Sequence, residues 1–189
     1  MSSEEALRAK LAPQQIRLTL AFAGLFQMTH EMIKSSVLED VKGFYGHSPL
    51  DKGEWLYGED AYKREVLALS PGKPFQASLM WLANAGAISE AQVSRLEEVY
   101  SHRHELTHEL GRILIDVNAT PDYTLFIDAV RILRDIHRFW IQVEKDLGTF
   151  DQHGDVDIDQ VQTGPMMLLE LCLQACLADL PGPAESPPA

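Results

Sequence analysis

Apolar residues recur at three- and four-residue spacing along nearly the whole chain, a period that builds helices and not strands. From Gln14 to about Val41 the repeat runs Ile16, Leu20, Ala23, Phe26, Ile33 and Val37, behind a Pro13 suited to a helix's first turn. This helix is expected to end near Gly43. Phe44 to Gly58 mixes glycines, Pro49 and aromatics, and reads as a structured loop packed by Phe44, Tyr45, Trp55 and Tyr57. Short helices are expected over Glu59–Leu69, stopped by Ser70-Pro71-Gly72, and over Pro74–Ala85, stopped by Gly86. Ser89 with Gln92 forms a capping box for a helix to about Val117. Thr120 as N-cap and Pro121 in the first turn open the next, which runs to about Leu147 and stops at Gly148. Thr149–Gln162 is an acidic loop, and Thr163-Gly164-Pro165 caps a last apolar helix from Met166 to about Leu180. No β-hairpin signal stands out. The expectation is all-α: a helical bundle of five to six helices in one domain over residues 1–180, with a proline-rich tail (181–189) that cannot fold.

Charge narrows the partners. Asp and Glu number 28 against 16 Lys and Arg, a formal net charge of -12. Such a surface repels nucleic acid at long range, so any nucleic-acid contact must rest on a local basic patch. The opening MSSEEALRAK has no apolar core of a signal peptide. The apolar run from Leu18 to Phe26 is far short of the ~20 residues that span a bilayer. A cytoplasmic protein without a membrane partner is expected. Cys172 and Cys176, four apart on one helix, read as reduced core thiols. A chain of 189 residues buries enough surface to fold without metal or disulfide.

Chemistry concentrates in His102-Arg103-His104-Glu105-Leu106-Thr107-His108-Glu109-Leu110-Gly111-Arg112. At about 100° per residue, with Arg103 at zero, the apolar residues Leu96, Val99, Leu106, Leu110, Leu114 and Val117 all fall within about 60° of it. Arg103 therefore sits on the apolar stripe, with His104 and His108 together along one edge. A guanidinium there requires a buried carboxylate partner, or a cleft or subunit interface that receives an anion. Folding the next helix back about Ala119 sets Asp135 level with Arg103. Arg131, Arg134, His137 and Arg138 would then face the cluster across an anion-binding cleft.

The run from Arg103 to His108 matches the R-x4-6-H motif of the HEPN family (higher eukaryotes and prokaryotes nucleotide-binding domains), with His104 at the position where that family has Asn, Asp or His. The chain resembles that family over the motif and the helical outline from Gln14 to Leu147. The resemblance implies a metal-independent endoribonuclease of the toxin or phage-defence type. It also implies a homodimer whose two motifs form one site, RNA as substrate, no cofactor, and a possible neutralising protein partner. By the same resemblance His108 moves the proton of a ribose 2′-OH attacking the adjacent phosphate, leaving a 2′,3′-cyclic phosphate. Arg103 stabilises the charge on the phosphorane, and His104 orients the phosphate or assists proton transfer. These roles suit the chemistry of imidazole and of a fixed guanidinium fork. Some members carry a modifiable tyrosine two residues after the motif histidine; here that position is Leu110.

Two other readings compete. One is a non-catalytic HEPN-like interaction module. The other takes His104-Glu105-Leu106-Thr107-His108 as H-E-x-x-H, with His104 and His108 binding zinc, Glu105 as base and Asp128 as a substitute third ligand, because the metzincin position holds Leu114. The metal reading leaves Arg103 unexplained. His30-Glu31 could approach the cluster in a bundle but reads as a solvated pair. Asp155, Asp157 and Asp159 open like a calcium loop, yet Gln160 and Met166 occupy its glycine and glutamate positions.

Overall fold

The computed structural model describes residues 2–46, 48–49, 55–56 and 59–178, and they form an all-α bundle. Helix α1 (Ser3–Lys10) was not foreseen; a capping box between Ser2 and Glu5 starts it, and its Lys10 ammonium binds the carbonyls of Asp116 and Ala119. α2 (Pro13–Ser35) runs through a π-helical turn, Ser36–Asp40, into α3 (Val41–Gly46). The expected long helix is thus present but carries one wide turn and continues past Gly43. Ser48–Pro49 (β1) and Trp55–Leu56 (β2) pair antiparallel, a two-residue contact with no alternation to announce it. Phe44 and Tyr45 belong to α3 and lie on Trp81 and, for Phe44, on Trp140, with Trp81 Nε1 donating to Tyr45 Oη at 2.8 Å. Tyr57, the Trp55 side chain and the 181–189 tail lie outside the described residues.

α4 (Glu59–Glu65) leads through a 3-10 turn to α5 (Pro74–Asn84), which ends at Gly86 with φ +79° as its sequence requires. α6 starts on the expected Ser89–Gln92 capping box but covers only Glu90–His108. The chain breaks at Glu109 (φ -111°, ψ 14°) and resumes as α7 (Leu110–Ile115). α8 (Tyr123–Asp146) is capped by Asp122, whose carboxylate accepts from the Thr124 and Leu125 amides, in place of the expected Thr120. Those bonds hold the Asp122 carboxyl below its ordinary range. α9 (Gly164–Leu177) closes the bundle, with Cys172 and Cys176 both free thiols. The breaks at the π turn and at Glu109, together with α1, give more helical segments than the five or six expected.

α2 is the hub, packing on α6, α8 and α9. Its Phe22, Phe26 and Ile33 meet Leu96, Val99 and Leu106 of α6, Leu125, Ala129 and Leu133 of α8, and Leu169 of α9 in one buried cluster. Fully burying such a side chain contributes roughly 1.5–3 kcal/mol, so this shared face sets the bundle. Among the described residues no helix is long and apolar enough to cross a membrane.

Candidate functional site

α6 and α8 are antiparallel, as expected, but in a different register. Gln92 Nε2 donates to Asp135 Oδ2 (2.7 Å), Arg95 Nε to Asp128 Oδ2 (2.9 Å), and the Asp122 amide to His102 Nε2 (3.0 Å). Asp135 therefore stands eleven residues from Arg103 along α6, about 16 Å at 1.5 Å per residue, and not beside it. The cause is the break at Glu109. Residues assigned to the end of one long helix belong instead to α7 and the turn, so the fold-back comes early and the pairing slides.

That shift dissolves the expected cleft between the motif and α8. Arg131 is exposed and pairs with Asp128 at 3.4 Å; Arg138 pairs with Asp159 at 2.5 Å; Arg134 is exposed. His137 is buried, with Ser36 Oγ 3.1 Å from Nε2 and Thr163 Oγ1 2.8 Å from Nδ1. Burial pushes its pKa down against the pull of Asp40. None of the four faces Arg103, His104 or His108. Asp128 is likewise held by Arg95, two turns before His104, so it does not complete a ligand set with His104 and His108. Among the described residues no group of three His, Cys, Asp or Glu could hold a metal ion. Glu105, the base of the zinc reading, accepts from Arg112 Nη2 at 2.7 Å and lies 3.4 Å from His102 Nδ1.

The motif itself divides into a pinned cation and a free pair of imidazoles. Arg103 lies on the helix face expected of it, its side chain 25 % exposed, and reaches α2. Its Nε donates to Gln27 Oε1 at 2.7 Å and its Nη2 to Glu31 Oε1 at 3.4 Å. Of the two expectations for that position, a buried carboxylate or an anion-receiving cleft, the described contact is to a carboxylate, Glu31, that is half-exposed and not buried; the His30-Glu31 step is not a solvated pair. His30 is buried, its ring 5.6 Å from that of Tyr100. Its pKa is lowered, by burial first, with Glu31 opposing and Arg103 adding. His104 and His108 are exposed on the last two turns of α6, ring centroids 4.3 Å apart. A groove of about 340 Å³ between α2 and α6 borders Arg103, lined by Leu20, Gly24, Gln27, Thr107 and Leu110.

The sequence reading missed two contributors. His102, its side chain 10 % exposed, stands edge-on against Phe26 with centroids 5.2 Å apart, and accepts from the Asp122 amide at the start of α8. Gln27 had a legible signal: residues 27, 30, 31 and 34 share one face of α2, and that face is polar. A cleft of about 1150 Å³ lies elsewhere, between the π turn, α8 and the start of α9. No protein-family model, no curated protein and no solved structure matches the chain.

Proposed function

We propose that the protein is a metal-independent endoribonuclease of the HEPN-like kind, acting on RNA as a homodimer through Arg103, His104 and His108. The observation that carries this reading is the pair of accessible imidazoles, 4.3 Å apart, on the helix whose preceding turn holds a fixed guanidinium. Ribose 2′-OH attack on the adjacent phosphate needs a proton acceptor, a proton donor and a cation at the developing charge, and no metal. The exposed histidines supply the first two functions. Arg103 supplies the third from a position that packing already fixes.

The same geometry supports a two-chain site. Arg103 and His108 lie about 140° apart around α6, at about 100° per residue, so one chain aims them at different sides. A second copy set against this face would bring the histidines of one chain toward the arginine of the other. The acidic surface also leaves room for a neutralising protein partner. Among the described residues the zinc reading has only two convergent ligands, His104 and His108.

RNA cleavage by the full-length protein in the presence of a chelator tests the reading. Arg103→Ala and His108→Ala should each abolish cleavage while the far-UV circular dichroism spectrum stays helical. Glu105→Gln should leave the rate unchanged, because Glu105 is occupied by Arg112 and His102. Activity that survives Arg103→Ala but is lost with chelator or Glu105→Gln would overturn the mechanism. No cleavage of any RNA by the wild type would leave the interaction-module reading.

A further inference from the structure

Four side-chain donors surround one carboxylate beside Arg103. Glu31 Oε1 accepts from Gln27 Nε2 at 3.0 Å and from Arg103 Nη2 at 3.4 Å. His30 Nδ1 lies 3.4 Å from the same oxygen, and Lys34 Nζ lies 3.8 Å from Oε2. Three of these contacts are long, and the Glu31 side chain is 46 % exposed. Arg103 and His30 do not depend on it for their positions. Arg103 is anchored by its Nε on the Gln27 oxygen at 2.7 Å, closer than anything it makes with Glu31. His30 is 6 % exposed and packed against Tyr100. Its Nδ1 is buried at this same position, within ion-pair reach of Glu31 but without a formed hydrogen bond.

Such a constellation is an anion site with a resident anion. Glu31 meets only one terminal nitrogen of the guanidinium, whereas a fork of this shape favours two-point contact with a tetrahedral oxyanion. A buried imidazole nitrogen without a partner marks an unmet polar demand at the same spot. The geometry points to a phosphate-binding site formed by Arg103, His30, Gln27 and Lys34, in which the Glu31 carboxylate is an internal competitor that an incoming phosphate must displace. This rests on the ribonuclease reading only for the source of the phosphate, an RNA backbone; the site itself stands on the five side chains. Glu31 would then hold the single chain in a low-affinity state, swinging outward from an exposed position when a phosphate takes its place.

Calorimetric titration of the full chain with inorganic phosphate, and separately with a 2′-O-methylated RNA that cannot be cut, tests this. Glu31→Gln keeps an acceptor for Gln27 and removes the competing charge. It should bind phosphate more tightly than wild type, on the order of tenfold for one partly screened like charge. Adding Arg103→Gln should return affinity to the wild-type level or below. Tighter binding of the RNA but not of free phosphate would place the gain outside this site and overturn the inference, as would Glu31→Gln binding phosphate no better than wild type. If that variant does not fold, the wild type decides: saturating phosphate should move the His30 side-chain ¹⁵N resonance where sodium chloride of equal ionic strength does not. An unmoved resonance overturns the inference. RNA cleavage by the wild type without any gain in phosphate affinity defeats this inference alone. A gain in affinity with no cleavage of RNA defeats the ribonuclease reading and leaves the anion site standing.

Discussion

Two histidine sites sit at opposite ends of the α6–α8 pair, ~25 Å apart at about 1.5 Å per residue, and the structure treats them in opposite ways. His137 is enclosed. The Ser36 hydroxyl donates to Asp40 at 2.6 Å, so it must accept from His137 Nε2; Nδ1 is then left to accept from the Thr163 hydroxyl. Both ring nitrogens of that imidazole are engaged in joining the π turn, α8 and the start of α9. The side chains of His104 and His108 have no hydrogen bond to a described residue, and their ring centroids lie 4.3 Å apart. One residue type on neighbouring helices is thus an interhelix pin in one place and an exposed pair in the other. Burial and available partners decide which, and neither can be read from a basic residue's spacing alone.

The contrast breaks first on single substitutions. His108→Ala should reduce RNA cleavage on the order of 10²- to 10⁴-fold, the usual weight of a proton-transfer group. Being exposed, it should change folding stability by no more than about 0.5 kcal/mol. His137→Ala should do the reverse. It strands the Thr163 hydroxyl, removes the donor to the Ser36 oxygen and opens a void, a loss of about 2–4 kcal/mol in urea denaturation, with cleavage per folded molecule retained. Equal effects of the two substitutions on stability would erase the distinction.

Acidification sharpens it. His30 and His137 both have pKa values lowered by burial. An unfolded chain holds its histidines near the ordinary value of about 6.5, so on acidification the unfolded state takes up these protons first. The stability linked to them is complete above about pH 6.5 and is lost as pH falls through the folded values, with a slope of at most about 1.4 kcal/mol per pH unit for each proton. Urea midpoints should therefore fall between about pH 7.5 and about pH 5.5, and His137→Gln should flatten the fall. A variant whose midpoints track the wild type at every pH would show that His137 is not the group responsible.

Much of the fold was legible because its determinants are local. The Ser89–Gln92 capping box and the stop at Gly86 act within a few residues, and both stand where they were expected. The buried residues Leu96, Val99 and Leu106 followed from the period alone. What failed was continuity. Nothing in Glu109-Leu110-Gly111 excludes a helix strongly enough to announce a break, since a single glycine costs only ~1 kcal/mol. Yet one non-helical residue moved the fold-back and slid α6 against α8. That error propagated into the site: Arg131, Arg134, His137 and Arg138 were placed opposite the motif by register, the quantity least determined by local pattern. Arg103 was legible only in part. A charge on an apolar stripe must be met by something, and that demand left a carboxylate or an anion-binding cleft open; only the packing of α2 brings Glu31, itself half-exposed, to the guanidinium.

The smallest expected effect tests that slide directly. If α8 carried substrate, removing Arg131, Arg134 and Arg138 together would weaken RNA binding. It would also lower the salt dependence of binding by roughly one unit of slope for each phosphate no longer neutralised. In the observed register two of these arginines are paired with Asp128 and Asp159, and all three lie toward the N-terminal end of α6, away from His104 and His108. The triple alanine variant should therefore cleave RNA within about twofold of wild type, with an unchanged salt slope, because surface charges this far apart are largely screened beyond about 10 Å. A shallower slope would mean that RNA runs along α8 from the motif outward, and that the two ends of the helix pair, separate in structure, are joined by the substrate.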